Sequence, residues 1–227
     1  MSSVTLGRKR GLNIKHMAYR PTEKTEARKA AVRQRVLDAS LQIVSTGGFG
    51  ALTVSDVARE AGIATGAVYK HFDSKAELCA EVFRLATEKE LAVVKENALA
   101  AGSPSRRLLN AIEAFAARAI SGRRLAYALI AEPVDTLVDA ERLRYRSAYA
   151  DIFRKVVEDG MEVGDFPQQS ATVSAAALVG VISEALVGPL TWRDGKEPEI
   201  EKDELIRSIQ AFCLRAVAMH DTGSETD

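Results

Sequence analysis

Apolar residues along this chain recur at every third or fourth position, and nowhere do they alternate with polar ones in the period of two that a half-buried strand needs. From about Thr25 to His220 the helical spacing is broken only by short punctuation: Gly47-Gly48, Gly62, Gly102-Ser103-Pro104, Gly122, Pro133, Gly164-Asp165-Phe166-Pro167 and a charged Gly/Pro loop before Lys202. Glycine and proline are sparse, 15 and 6 of 227 residues, so long helices are permitted and a many-turned β fold is not. The expected fold is all-α. Apolar residues make up 47% of the chain, enough to bury a sizeable core.

Capping chemistry locates several of these helices. A first helix runs from about Thr25, with Val32, Val36, Ala39, Ile43 and Val44 on one face, and ends at Gly47-Gly48. Thr53 has an N-cap hydroxyl with Asp56 three residues on, and Val54, Val57, Ala58 and Ala61 give the short helix that follows one apolar face. Gly62 stops it, and a second short helix is expected over residues 64–70. Ser74, with Glu77 three residues later, caps a long helix reaching about Ala98. Further helices are expected to about Ile120, before Pro133, over 136–160, over 168–187 and over 202–220.

Net charge is zero, but its distribution is uneven. Residues 1–75 hold 13 Lys/Arg against 6 Asp/Glu, and the remainder holds 18 against 25. A basic N-terminal third suits a polyanionic partner, and a solvated basic face is the plain alternative. Residues 1–21, with Arg8, Lys9, Arg10, Lys15 and Arg20, read as a flexible basic arm. Cys79 and Cys213 lie in helical patterns and read as small apolar residues, too few for a disulfide framework and not spaced as metal ligands. The most apolar run, 173–190, contains Glu184 and two glycines and reads as a buried helix rather than a membrane span. No signal peptide is evident, so a cytoplasmic location is expected.

Two short helices joined by a glycine turn behind a longer helix form a helix-turn-helix arrangement, whose second helix can enter a major groove while the first braces it. Ala58, Gly62, Ile63 and Val68 supply the small or apolar contacts between the pair, and Phe49, Val68 and Phe72 read as core. The outward residues of the second helix are Thr65, Ala67, Tyr69, Lys70 and His71, groups that meet phosphates, base edges and thymine methyls. The string Leu52-Thr53-Val54, Ala61-Gly62-Ile63, Gly66-Ala67-Val68-Tyr69-Lys70-His71-Phe72 and Ser74-Lys75-Ala76-Glu77-Leu78 closely resembles the signature of the tetracycline-repressor (TetR) family. The resemblance covers about residues 27–80, and the C-terminal part agrees only in length and helical count.

That resemblance implies about nine helices in total. A three-helix DNA-binding domain is expected over 22–75, a ligand-binding and dimerisation domain over 76–220, and a disordered tail over 221–227. It further implies phosphate contacts from Thr53 and Lys75, a DNA face of Thr65, Ala67, Tyr69, Lys70 and His71, and close backbone approach at Gly66. Ala64 departs from the pattern. The family usually has Ser there as the cap of the recognition helix, with Thr65 the nearest substitute, and losing such a cap costs roughly 0.5–2 kcal/mol.

The helix over 168–187 is apolar nearly all round and must be covered on most sides. Its Ala176, Gly180, Val181, Glu184 and Val187, with Ile209 and Phe212 of the last helix, form a candidate two-fold interface; an internal core helix is the alternative. Phe83, Phe115, Tyr127, Tyr145, Tyr149 and Phe153 are candidate lining residues of an effector pocket, or plain core, and Leu129 is placed with them. Arg123, Arg124 and Arg146 are available to meet an acidic ligand or to pair with Glu132, Asp135 and Glu141.

The reading is a homodimeric, sequence-specific transcriptional regulator, a repressor released from a palindromic operator by a small-molecule effector. Its partners are operator DNA, a second copy and that effector; no membrane, cofactor, metal or catalytic site is expected. An activator and a non-specific architectural DNA-binding protein are the alternatives. A helical-bundle enzyme fits less well, because His16, His71 and His220 are scattered and neither a Glu-x-x-His pair nor a phosphate-cradling glycine loop occurs.

Overall fold

The computed structural model describes residues 23–191 and 201–218, which carry nine α-helices, one short 3-10 turn and no strand. The basic arm and the C-terminal tail lie outside the described residues. A head is formed by α1 (Glu23–Gly47), the 3-10 turn Phe49–Ala51, α2 (Val54–Glu60), α3 (Thr65–Val68) and the first half of α4 (Lys75–Ala98). A body is formed by the rest of α4 with α5 (Pro104–Ser121), α6 (Arg123–Ile130), α7 (Thr136–Glu162), α8 (Ala171–Leu190) and α9 (Lys202–Ala218).

The caps behave as their chemistry requires. Thr53, Ser74, Ser103 and Ser170 accept from the backbone N–H three residues on, and Asp135 accepts from Leu137 and Val138, so five helix starts have an orphan donor satisfied. Two expected boundaries move. α8 begins at Ala171 rather than 168, because Ser170 supplies the cap, and it runs on through Gly188 and Pro189 to Leu190. α3 is a single turn, Thr65–Val68, and the chain continues to Phe72 in tight turns in which Lys70 and His71 donate to the carbonyls three residues back.

Two apolar clusters hold the chain together, and they do not part at residue 75. The head cluster takes Val36, Val44, Leu52, Val57, Val68 and Phe72, but also Phe83 of α4, Ala128 of α6, and Val138 and Tyr145 of α7. The body cluster packs α4, α5, α7, α8 and α9 around Leu108, Ile112, Phe153, Val156 and Leu186. α8 is long and apolar enough to cross a membrane by length and composition. In the fold it lies against α5, α6, α7 and α9, with Leu178, Ile182, Leu186 and Leu190 buried.

Candidate nucleic-acid interface and the cavity behind it

The angle between α2 and α3 is set by backbone hydrogen bonds. Ile63 N–H donates to the Ala58 carbonyl at 3.0 Å and Gly62 N–H to the Arg59 carbonyl at 3.2 Å, the two bonds of a Schellman motif. That motif needs a left-handed residue after the helix, and Gly62 has φ of 66°. Ala58, Ala61 and Val68 are buried where the two helices meet, so small side chains let them approach.

Most of the residues expected at DNA are exposed to solvent. Thr53, Thr65, Gly66, Lys70 and Lys75 are exposed, and Tyr69 keeps 51% of its surface in solvent despite its ring. Ala67 and His71 are half-buried. Phe49, Val68 and Phe72 are core, as expected. Ala64 occupies the N-cap of α3 in extended conformation with no side-chain hydrogen bond, while Thr65 lies inside the helix and does not replace it. A Cβ built on Gly66 would meet nothing within 4 Å, so nothing among the described residues requires glycine there.

The surroundings of His71 are cationic. Its pKa is lowered from 6.5, first by burial and then by the charges of Lys29, Arg33 and Lys70. Arg33 stacks over the Phe72 ring, 4.9 Å from its centroid, and pairs with Glu81 at 3.0 Å. Lys29 and Arg33 were absent from the expected DNA set; both sit on α1, where neither has a neighbouring motif to mark it.

Behind the head, α4–α8 line a cavity of about 470 Å³ that is open to solvent. Phe83, Phe115, Tyr145, Tyr149 and Leu129 line it as expected, whereas Tyr127 and Phe153 do not: Phe153 is fully buried core and Tyr127 packs against that core. Phe115 and Tyr149 meet edge to face at 5.4 Å. Tyr145 donates to Glu88 at 3.0 Å, and burial pushes its phenol up to about 12. Sequence reasoning missed Thr87, Arg118, Arg142 and Ser183, which also line the cavity. The only available signal was that Arg142, Tyr145, Arg146 and Tyr149 share one face of a helix.

The expected arginine pairings are redistributed. Glu141 is taken by Arg84 at 2.7 Å and by Arg144, and Asp135 caps α7. Glu132 accepts from Phe49 N–H and Gly50 N–H, both at 2.9 Å, and Arg124 donates to the Gly47 carbonyl at 2.8 Å. Gly48 has φ of 76°, which favours glycine, and a Cβ there would stand 2.5 Å from the Glu132 carboxylate and push it off its two N–H donors. Arg142 in turn donates to the carbonyls of Leu129 at 3.0 Å and Glu132 at 2.8 Å. One guanidinium in the cavity wall therefore holds the loop whose carboxylate grips the end of α1.

On the outer face of the body, α8 exposes Val173, Ala176, Ala177, Gly180, Glu184 and Gly188, with Val181 and Val187 half-buried. Phe212 on α9 is 54% exposed. Ile209, expected beside it, is buried in the protomer's own core where α9 packs on α5 and α8, and does not belong to that face. Cys79 and Cys213 are buried, and burial pushes both thiols up to about 11, consistent with small apolar roles.

A short, braced helix presenting hydroxyl, phenol and cationic groups outward, ahead of a cavity-bearing helical body, defines a helix-turn-helix DNA-binding protein. Residues 36–82 match the family model "Bacterial regulatory proteins, tetR family". The chain is 33% identical over 142 residues to the HTH-type transcriptional repressor KstR2 of Rhodococcus jostii (strain RHA1), covering 61% of this chain and 69% of that protein. It is 40% identical over 76 residues to the repressor KstR of Mycolicibacterium smegmatis, covering 34% of this chain and 37% of that one. Among solved structures, the transcriptional regulator FadR of Bacillus subtilis, in complex with stearoyl-CoA, superposes with a TM-score of 0.69 at 17% identity, over 82% of this chain and 99% of that one. The chain belongs to the tetR family of bacterial regulatory proteins, and it is a DNA-binding transcription regulator.

Proposed function

We propose that this regulator is a cytoplasmic homodimeric repressor that holds a palindromic operator with one α3 per half-site and releases it when a small molecule fills the cavity of the body. The observation that carries the reading is the outward face of α3 and the turns after it. Thr65, Tyr69 and Lys70 are exposed together, and Gly66 between them has open space where a side chain would otherwise stand. Glycine in a helix costs about 1 kcal/mol relative to alanine, so an unfilled helical glycine points to a surface that something outside the chain approaches closely. Gly180 and Gly188 on α8 are open in the same way, which supports α8, with Phe212 of α9, as the two-fold contact.

Release follows from the contacts between cavity and head. Phe49, Phe83 and Tyr145 form a chain of rings with centroids 6.5 and 6.0 Å apart, from the end of α1 into the cavity wall. Arg142 and Glu132 run beside it as a polar link to Phe49 and Gly50. A ligand that favours one arrangement of this wall biases the spacing of the two heads, and only its differential affinity for the two arrangements drives the change.

Lys70→Ala and Tyr69→Ala test the placement of the DNA face. Each is expected to abolish binding to the operator-bearing fragment in a mobility-shift assay while sedimentation still reports a dimer. Wild-type affinity in both variants would move the interface off α3.

A further inference from the structure

The cavity behind the head has a chemistry more specific than a generic apolar pocket. Its charged lining is three guanidiniums and one carboxylate: Arg118, Arg142, Arg146 and Glu90. Two of the three cations are spoken for. Arg118 forms a two-pronged pair with Glu90, one contact at 2.8 Å, and Arg142 is bound to backbone carbonyls and to Asp139. Arg146 is exposed, lines the same cavity, and has no hydrogen-bond or ion-pair partner among the described residues. Among the described residues it therefore stands as an unpaired positive charge on the exposed part of the cavity lining.

Buried hydroxyls line the cavity as well. Thr87 of α4 is 95% buried, and its hydroxyl has no hydrogen-bond partner among the described residues, although a helical threonine can usually turn back onto the carbonyl one turn earlier. A buried hydroxyl left unpaired is costly, and such groups are rare in folded chains. Ser183 of α8, also buried, lines the same cavity, and so does Tyr149, whose phenol burial holds protonated. The remaining wall is apolar, with Val94, Phe115, Leu125, Ile130 and Val179. Volume, apolar walls and a few converging polar groups match what a pocket for a small organic molecule requires.

We infer that the effector is a largely apolar carboxylic acid carrying a hydroxyl or carbonyl oxygen on its buried end. Its carboxylate pairs with Arg146 at the mouth, its body lies against the Phe115–Tyr149 wall, and its inner oxygen meets the Thr87 hydroxyl. The excess of guanidinium over carboxylate disfavours cationic ligands, which would need an unpaired acid that the lining lacks. This inference rests on reading the body as an effector domain, and its test uses no DNA, so failure of ligand chemistry and failure of operator release are separately visible.

The experiment is isothermal titration calorimetry of the full chain with four probes: ω-hydroxydecanoate, decanoate, methyl ω-hydroxydecanoate and decyltrimethylammonium. The hydroxy acid should bind one per chain, at least about tenfold more tightly than its methyl ester or the quaternary amine, a difference typical of one charge-assisted contact. Arg146→Gln should weaken both acids by about tenfold and leave the methyl ester unchanged. Thr87→Val, which keeps the side chain's shape, should erase the preference for the hydroxy acid over decanoate. Tighter binding of the amine, acid binding indifferent to Arg146→Gln, a hydroxyl preference that survives Thr87→Val, or no heat from any probe would each overturn the assignment.

Discussion

The head and the body are built from the same kind of helix but use their interiors in opposite ways. In the head, Val36, Val57, Leu52, Val68 and Phe72 are all buried to within 1% of their surface, and the groups available to a partner lie outside, on and beside α3. In the body, Phe115, Tyr145 and Tyr149 stand around unfilled volume, and the groups available to a small molecule face inward. The head is thus a packed reading unit, whereas the body keeps its chemistry in space that helix packing leaves open. The two meet at Phe83 and Tyr145, which belong to the head's core and to the cavity's wall at once.

Glycine substitutions break this comparison most sharply. A Cβ on Gly160, where α7 meets the returning Phe166, would stand 2.1 Å from that buried ring. Gly160→Ala should therefore destabilise the body by about 3 kcal/mol in denaturant unfolding, the upper end for overpacking; a loss under about 1 kcal/mol would mean the ring has room to move. At the seam, Glu132→Ala removes the acceptor of two backbone N–H groups and should cost about 2 kcal/mol, with Glu132→Gln costing roughly half as much. Equal stability of both variants with wild type would remove Glu132 from the account of head–body coupling.

Cap variants sharpen the picture of the head alone. Ser74→Ala should cost about 1 kcal/mol, and Ala64→Ser should gain roughly 0.5–1 kcal/mol by supplying the acceptor α3 lacks. Gly66→Ala separates folding from function, since it should stabilise the free chain by roughly 0.5–1 kcal/mol while weakening DNA binding. A variant that is more stable and binds DNA undiminished would contradict close approach at Gly66.

The smallest expected effect is in pH. With its pKa lowered in the fold, His71 binds fewer protons than in the unfolded chain. Stability should then decline as pH falls through about 6.5, the unfolded value, and His71→Gln should flatten that slope. An unchanged slope in the variant would assign the acid sensitivity elsewhere.

The legibility of the two regions follows the same division. The head could be read because its determinants are local: Thr53 and Ser74 cap three residues ahead, Gly62 needs one turn, and the apolar positions follow a short period. The body's helices were legible for the same reason, but its function depends on which helices face one another. Tyr127 and Phe153 are as aromatic as Tyr145 and Tyr149, and only the packing of α6 and α7 decides which of them reach the cavity. Ile209 and Phe212 sit three apart on one helix, yet one turns into the protomer and the other out. The Glu132 clamp joins residues more than eighty positions apart, beyond any sequence period.

The central claim, that the head reads DNA sequence through α3, is tested most directly by fluorescence anisotropy. The chain would be titrated against the intergenic DNA upstream of its own gene and against a scrambled duplex, at two salt concentrations. Tight, salt-sensitive binding to the upstream DNA is expected, with binding at least about a thousandfold weaker to the scrambled duplex. Equal, weak binding to both duplexes would contradict it.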